Sequence, residues 1–150
     1  MYGMSEDRSI VDFTVEKPGH GIQLLVEASN TPAPSPEWAA RFLHNILANR
    51  EIPPTEYFLL ALQDHLYLWR RPTSGAGNPD FEADTATELR PYLSRLNRPL
   101  HTLHKSSFEL LIQAWLGELV DGTLPESEWL VRSGLADAVR DASIRLNLAA

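Results

Sequence analysis

Asp12 in IVDF and Glu27 in LLVEAS are the residues whose types and spacing suggest chemistry in this chain. The turn PGHG, residues 18–21, separates two runs that read as strands, SIVDFTVEK (9–17) and IQLLVEA (22–28). With PGHG as a four-residue connection, Lys17 pairs with Ile22, and counting back along the ladder sets Asp12 directly opposite Glu27. Two opposed carboxylates repel each other unless water solvates them, a proton neutralises one, or a cation bridges them. Ser29 follows Glu27 on the same face at the strand end, where serine is an ordinary turn residue and brings no positive charge.

That register also assigns the faces of the hairpin. Val11, Phe13 and Val15 join Ile22, Leu24, Val26 and Ala28 on a core face, while Ile10, Asp12, Thr14 and Glu16 join Gln23, Leu25, Glu27 and Ser29 on a less apolar one. Beyond the loop SNTPAPSP, Ser35 is placed as an N-cap and Pro36 as the first helical residue. Trp38, Phe42, Leu43, Ile46 and Leu47 then recur at helical spacing to about Arg50. IPPTE breaks that helix, YFLLAL reads as a buried strand, and LYLWRR after QDH reads as its antiparallel neighbour. Residues 72–83, PTSGAGNPDFEA, read as an exposed loop or lid, and TATELRPYLSRL as a short helix interrupted near Pro91.

Further along, Ser106 and Glu109 form a capping box ahead of a stripe made by Phe108, Leu111, Ile112, Trp115, Leu116 and Leu119, with Gly122 as the C-cap. A last helical segment starts at Pro125 and breaks around Gly134. The pattern predicts an α/β fold: a small mixed sheet with a β-hairpin, crossover helix and second hairpin, followed by C-terminal helices. The 150 residues fit one domain, with a sheet and crossover-helix core over 9–71, a loop over 72–84 and a helical part over 85–150.

A net charge of −7 argues against a protein that coats nucleic acid, so any contact with DNA must rest on a local patch. No cysteine is present, which excludes disulfides, thiolate metal sites and Cys-His catalysis and fits a reducing compartment. No apolar run has the length of a membrane span, and MYGMSEDRS lacks the order of a signal peptide, so a soluble, cytoplasmic protein with no membrane partner is expected.

Asp12 on one strand, the hairpin turn, Glu27 on the next, then a helix and another strand together resemble the PD-(D/E)XK nuclease superfamily, the restriction-endonuclease-like fold, over residues 9–71. The resemblance implies that Asp12 and Glu27 hold Mg²⁺ and that the chemistry in question is phosphodiester hydrolysis of DNA. Ser29 stands where the superfamily has the lysine that orients or activates the attacking water. Serine carries no charge to stabilise a phosphate transition state and is a poor base near neutrality. The resemblance allows the positive group to come from another element, with Arg41 on the following helix the expected source. It also implies a helix and often a strand ahead of the hairpin, where only eight residues precede Ser9, so the fold is either a reduced version or truncated at its start. Two functions follow: a degenerate, Mg²⁺-binding nuclease-like domain with weak or absent hydrolysis of DNA, or a non-catalytic interaction or assembly module that docks a protein partner through the helices after residue 85.

Other motifs carry less. Arg90, Arg95, Arg98, His101, His104 and Lys105 make the one locally basic stretch, which either meets phosphate or is a solvated flank. HTLH lacks further metal ligands, SGAGN lacks the Gly-Lys-Ser/Thr of a phosphate loop, and no Gly-x-Ser-x-Gly elbow is present. The four tryptophans lie in apolar patterns and are expected in the core.

Overall fold

Uninterrupted apolar sequence at YFLLAL places that segment in the middle of a sheet covered on both sides, and this is where it is found. The computed structural model describes residues 11–32, 34–73 and 75–147. Strands β1 (Phe13–Lys17), β2 (Gly21–Ala28), β3 (Tyr57–Ala61), β4 (His65–Arg70), β5 (Phe81–Asp84) and β6 (Ser143–Leu146) form one sheet in the order β5-β4-β3-β2-β1-β6. Only β2 and β3 run parallel, with Leu24 beside Tyr57 and Ala28 beside Ala61; every other pair is antiparallel. Helix α1 (Pro36–Asn49) makes the crossover between them, as a parallel return requires. The helices α2 (Thr85–Glu88), α3 (Arg90–Leu96), α4 (Lys105–Asp121), α5 (Glu128–Ser133) and α6 (Leu135–Val139) follow β5. The fold is therefore the mixed α/β sheet with C-terminal helices that the pattern predicts.

Alternation along the strands separates two cores. Leu25, Phe58, Leu60, Tyr67 and Trp69 pack with Ala39, Leu43 and Ile46 of α1. Phe13, Val15, Leu24, Val26, Leu59 and Leu68 face the other way, onto the α4 stripe and Trp129, Leu130, Leu135 and Val139 of α5 and α6. The hairpin face expected to be the less apolar one is thus covered by α1, and Thr14 and Gln23 on it are buried.

The helix ends follow local chemistry. The Ser35 hydroxyl accepts from the Trp38 N–H at 3.1 Å to start α1, and Gly122 ends α4 in the left-handed region at φ 77°. Gly134, at φ 79°, separates α5 from α6. Both Tyr57 Oη (2.7 Å) and Arg70 Nη2 (3.1 Å) donate to the Ser133 carbonyl, fixing that junction to the sheet.

Several expectations need correction. The hairpin connection is one residue shorter than PGHG, since Lys17 pairs with Gly21 and Glu16 with Ile22. A bulge at Gln23 restores the expected register from Val15↔Leu24 to Phe13↔Val26. Regular pairing begins at Phe13, and residues 9 and 10 lie outside the described residues. Val11 packs on the α1 side, opposite to Phe13, because the chain bends at Asp12. Residues 81–83 belong to strand β5 rather than to a loop, and residues 143–146 form a strand beside β1 instead of prolonging a helix. His104, not Ser106, occupies the N-cap of α4 and makes no side-chain cap bond; Glu109 reaches back to Lys105 instead, at 3.7 Å. Among the described residues no helix is long and apolar enough to cross a membrane.

Candidate functional site

The bend at Asp12 places its carboxylate beside the last residues of β2. Ser29 donates its backbone N–H to Ala61 O of β3, so the preceding N–H, that of Ala28, points to the β1 side. Pairing of β1 stops at Phe13, and Asp12 Oδ2 accepts this N–H at 2.7 Å in place of a strand carbonyl. The Asp12 carbonyl in turn accepts from Asn147 N at 2.9 Å, just past β6. Asp12 therefore holds three strands in register at one end.

Glu27 projects from β2 to the α1 side and is mostly buried, its side chain 14% exposed. Arg50, immediately after α1, donates through Nη1 to Glu27 Oε1 at 3.2 Å. Burial raises the Glu27 carboxyl above its usual range, and the negative charge of Asp12 adds to that; Arg50 and, more weakly, Lys105 pull it down. The repulsion expected of the two opposed acids is thus present, and an internal arginine offsets part of it.

From the other face of the sheet, α4 contributes a third carboxylate. Burial raises Glu109 as well, followed by the charge of Asp12 and a hydrogen bond between the two side chains, while Lys105 lowers it. Asp12, Glu27 and Glu109, with Arg50 and Lys105, form a charged cluster at the carboxyl end of the parallel pair, the position where open α/β sheets form crevices.

Of the residues expected from sequence, Asp12 and Glu27 are brought into electrostatic contact. Ser29 is half-buried, and its Oγ accepts from Thr31 N at 3.2 Å, closing the turn that leaves β2. Arg41 lies on the exposed side of α1, and the arginine that meets Glu27 is Arg50. The sequence does not mark Arg50 or Glu109 as site residues, and it marks Lys105 only as part of the basic stretch. Arg50 follows the last periodic residue of α1, and Lys105 and Glu109 are an i,i+4 pair on α4; these signals mark a helix end and a helix face without saying what lies opposite.

Part of the basic stretch is engaged within the chain: the Arg95 guanidinium lies 5.4 Å from the Tyr92 ring centre, and Arg98 donates to Thr102 O at 2.9 Å. Among the described residues, no group of three or more His, Cys, Asp or Glu side chains has the arrangement to hold a metal ion. Any cation here would rest on the Asp12–Glu27 pair with water and ligand oxygens. Comparison with family models, curated proteins and solved structures returns no match.

Proposed function

We propose that this chain is a degenerate member of the PD-(D/E)XK nuclease superfamily, working in the cytoplasm as a module that engages DNA or a protein partner and hydrolyses phosphodiesters weakly or not at all. The observation that carries this reading is the state of position 29. The superfamily's lysine is replaced by a hydroxyl that serves a backbone turn, and the cation nearest the acid pair, Arg50, is committed to Glu27 at 3.2 Å. An acid at the bend before β1 near a second acid on β2, in a parallel β2–α1–β3 unit, supports the superfamily part of the reading.

The donor set suits a weakly held Mg²⁺. Such sites take one or two protein carboxylates and keep several waters, and each carboxylate has about four lone-pair sites, so one hydrogen bond does not exhaust it. Asp12 and Glu27 would hold the ion, and mutual repulsion of the pair favours a bridging cation. Bound there, the ion would polarise a phosphoryl oxygen. The remaining parts of the chain position the pair: the Ala28 N–H orients Asp12, and Arg50 orients Glu27.

Titrating Mn²⁺ into the wild type and Glu27→Ala, alongside a DNA-cleavage assay, tests the reading. Weak binding lost in Glu27→Ala with little cleavage is expected. Efficient Mg²⁺-dependent cleavage by the wild type would overturn the degenerate assignment, and binding unchanged in Glu27→Ala would remove the site. The non-catalytic reading gains from the same ion pair, because Arg50 already balances Glu27 without a metal.

A further inference from the structure

We infer that Arg50 is a built-in rival for a divalent cation at Glu27 and so sets the metal affinity of the Asp12–Glu27 pair. This inference rests on the carboxylate-pair reading above and adds a residue that controls it. Arg50 Nη1 lies 3.2 Å from Glu27 Oε1, with the two side chains only 23% and 14% exposed, so solvent screens their attraction little. Arginine does not leave by losing its proton at any physiological pH. A divalent ion arriving at Glu27 must therefore sit beside a like charge or displace the guanidinium.

The chain provides for displacement. Arg50 is anchored through its backbone, its N–H donating to Ile46 O at the end of α1 at 2.9 Å, while its guanidinium is held at the end of a long side chain. An open groove of about 600 Å³ on α1, lined by Phe42, Asn45, Ile46, Asn49 and Arg50 itself, gives a displaced side chain room with amide partners. Lys105 acts from the opposite face, where it is paired to Glu109 at 3.7 Å and reaches Glu27 only through its longer-range charge. Arg50 is thus a cation that a divalent ion arriving at Glu27 meets directly.

Mn²⁺ titrations of the folded wild type, Arg50→Gln and the double variant Arg50→Gln/Glu27→Gln provide the test. Arg50→Gln is expected to bind Mn²⁺ about tenfold more tightly than the wild type, the size of a modest ion-pair competition, and the double variant is expected to lose that gain. Measurable binding that is the same with and without Arg50, or a gain that survives in the double variant, overturns the inference and leaves the carboxylate-pair reading standing. Absence of binding in both wild type and Arg50→Gln overturns both. Should Arg50→Gln fail to fold, the wild type alone decides: on titration with Mg²⁺ the Arg50 Nε–H NMR signal is expected to shift together with the Ala28 amide that reports on Asp12. Movement of the Ala28 amide without the arginine signal counts against the rivalry.

Discussion

Ser29 has an architectural task, since its hydroxyl accepts the Thr31 N–H in the turn out of β2, and it carries no positive charge. Replacing it tests the nuclease-like reading proposed above. Ser29→Lys is expected to raise Mg²⁺-dependent DNA cleavage by on the order of a hundredfold over the wild type, the scale of one electrostatic stabiliser at a developing phosphate charge. Glu27→Ala in that background is expected to abolish the gain, and a folded Ser29→Lys chain that takes up no metal and cuts nothing would favour the interaction-module reading. The turn bond lost is worth about 1 kcal/mol, so the variant should fold. The register from Phe13 to Val15 was legible because strand pairing is a counting rule, and the bulge at Gln23 happens to cancel the error made at the turn; the ladder stops at Phe13, so the expected Asp12–Glu27 pairing is replaced by the bend at Asp12. Arg50 and Glu109 were not legible: each lies on a helix or its flank, and no counting rule tells which strand residue a helix end will meet.

At the scale of elements, the junction between α5 and α6 is tightly constrained. Gly134 sits at φ 79°, and a Cβ there would come within 3.0 Å of the Tyr57 hydroxyl, which donates to the neighbouring Ser133 carbonyl. Gly134→Ala is expected to cost about 1–2 kcal/mol from the left-handed backbone alone, with more from the crowded hydroxyl. Tyr57→Phe is expected to cost about 1 kcal/mol by removing one donor from a carbonyl that keeps Arg70. Urea midpoints of the two single variants and the double variant check this, and non-additive losses are the expected result for residues in contact. Helices α1 and α4 were readable because their apolar residues recur over three turns or more. Strands β5 and β6 are four residues each, half-exposed at the edges of the sheet, and ASIRL continues the polar-apolar rhythm of the helix before it, so nothing local marks them as strands. The identity of β5 comes from β4 across the connection 71–80, and that of β6 from β1, far away in the chain.

Taken as a whole, the molecule carries its charged cluster between two layers, and this gives its stability a definite pH response. Glu27 and Glu109 are both raised from an ordinary value of 4.5, chiefly by burial. Between that value and their raised values the folded chain holds protons that the unfolded chain has released, so these two groups favour folding at the acidic end of the window and lose that contribution as pH rises through it. Denaturant midpoints measured from about pH 4.5 to about pH 7 are expected to show this falling component, and Glu109→Gln is expected to flatten it. An unchanged slope in Glu109→Gln would place the effect elsewhere. The pairing of β1 with β6 reaches further, into the time course of synthesis. Phe13 lies beside Leu146, and the Asn147 amide donates to the Thr14 hydroxyl at 2.8 Å across 133 positions. A ribosome must therefore deliver almost all of the described chain before the outer edge of β1 is covered, and closure of so distant a contact is among the slow steps of folding. Through that interval the first strand waits with one edge unpaired, and its protection depends on how quickly the last strand arrives.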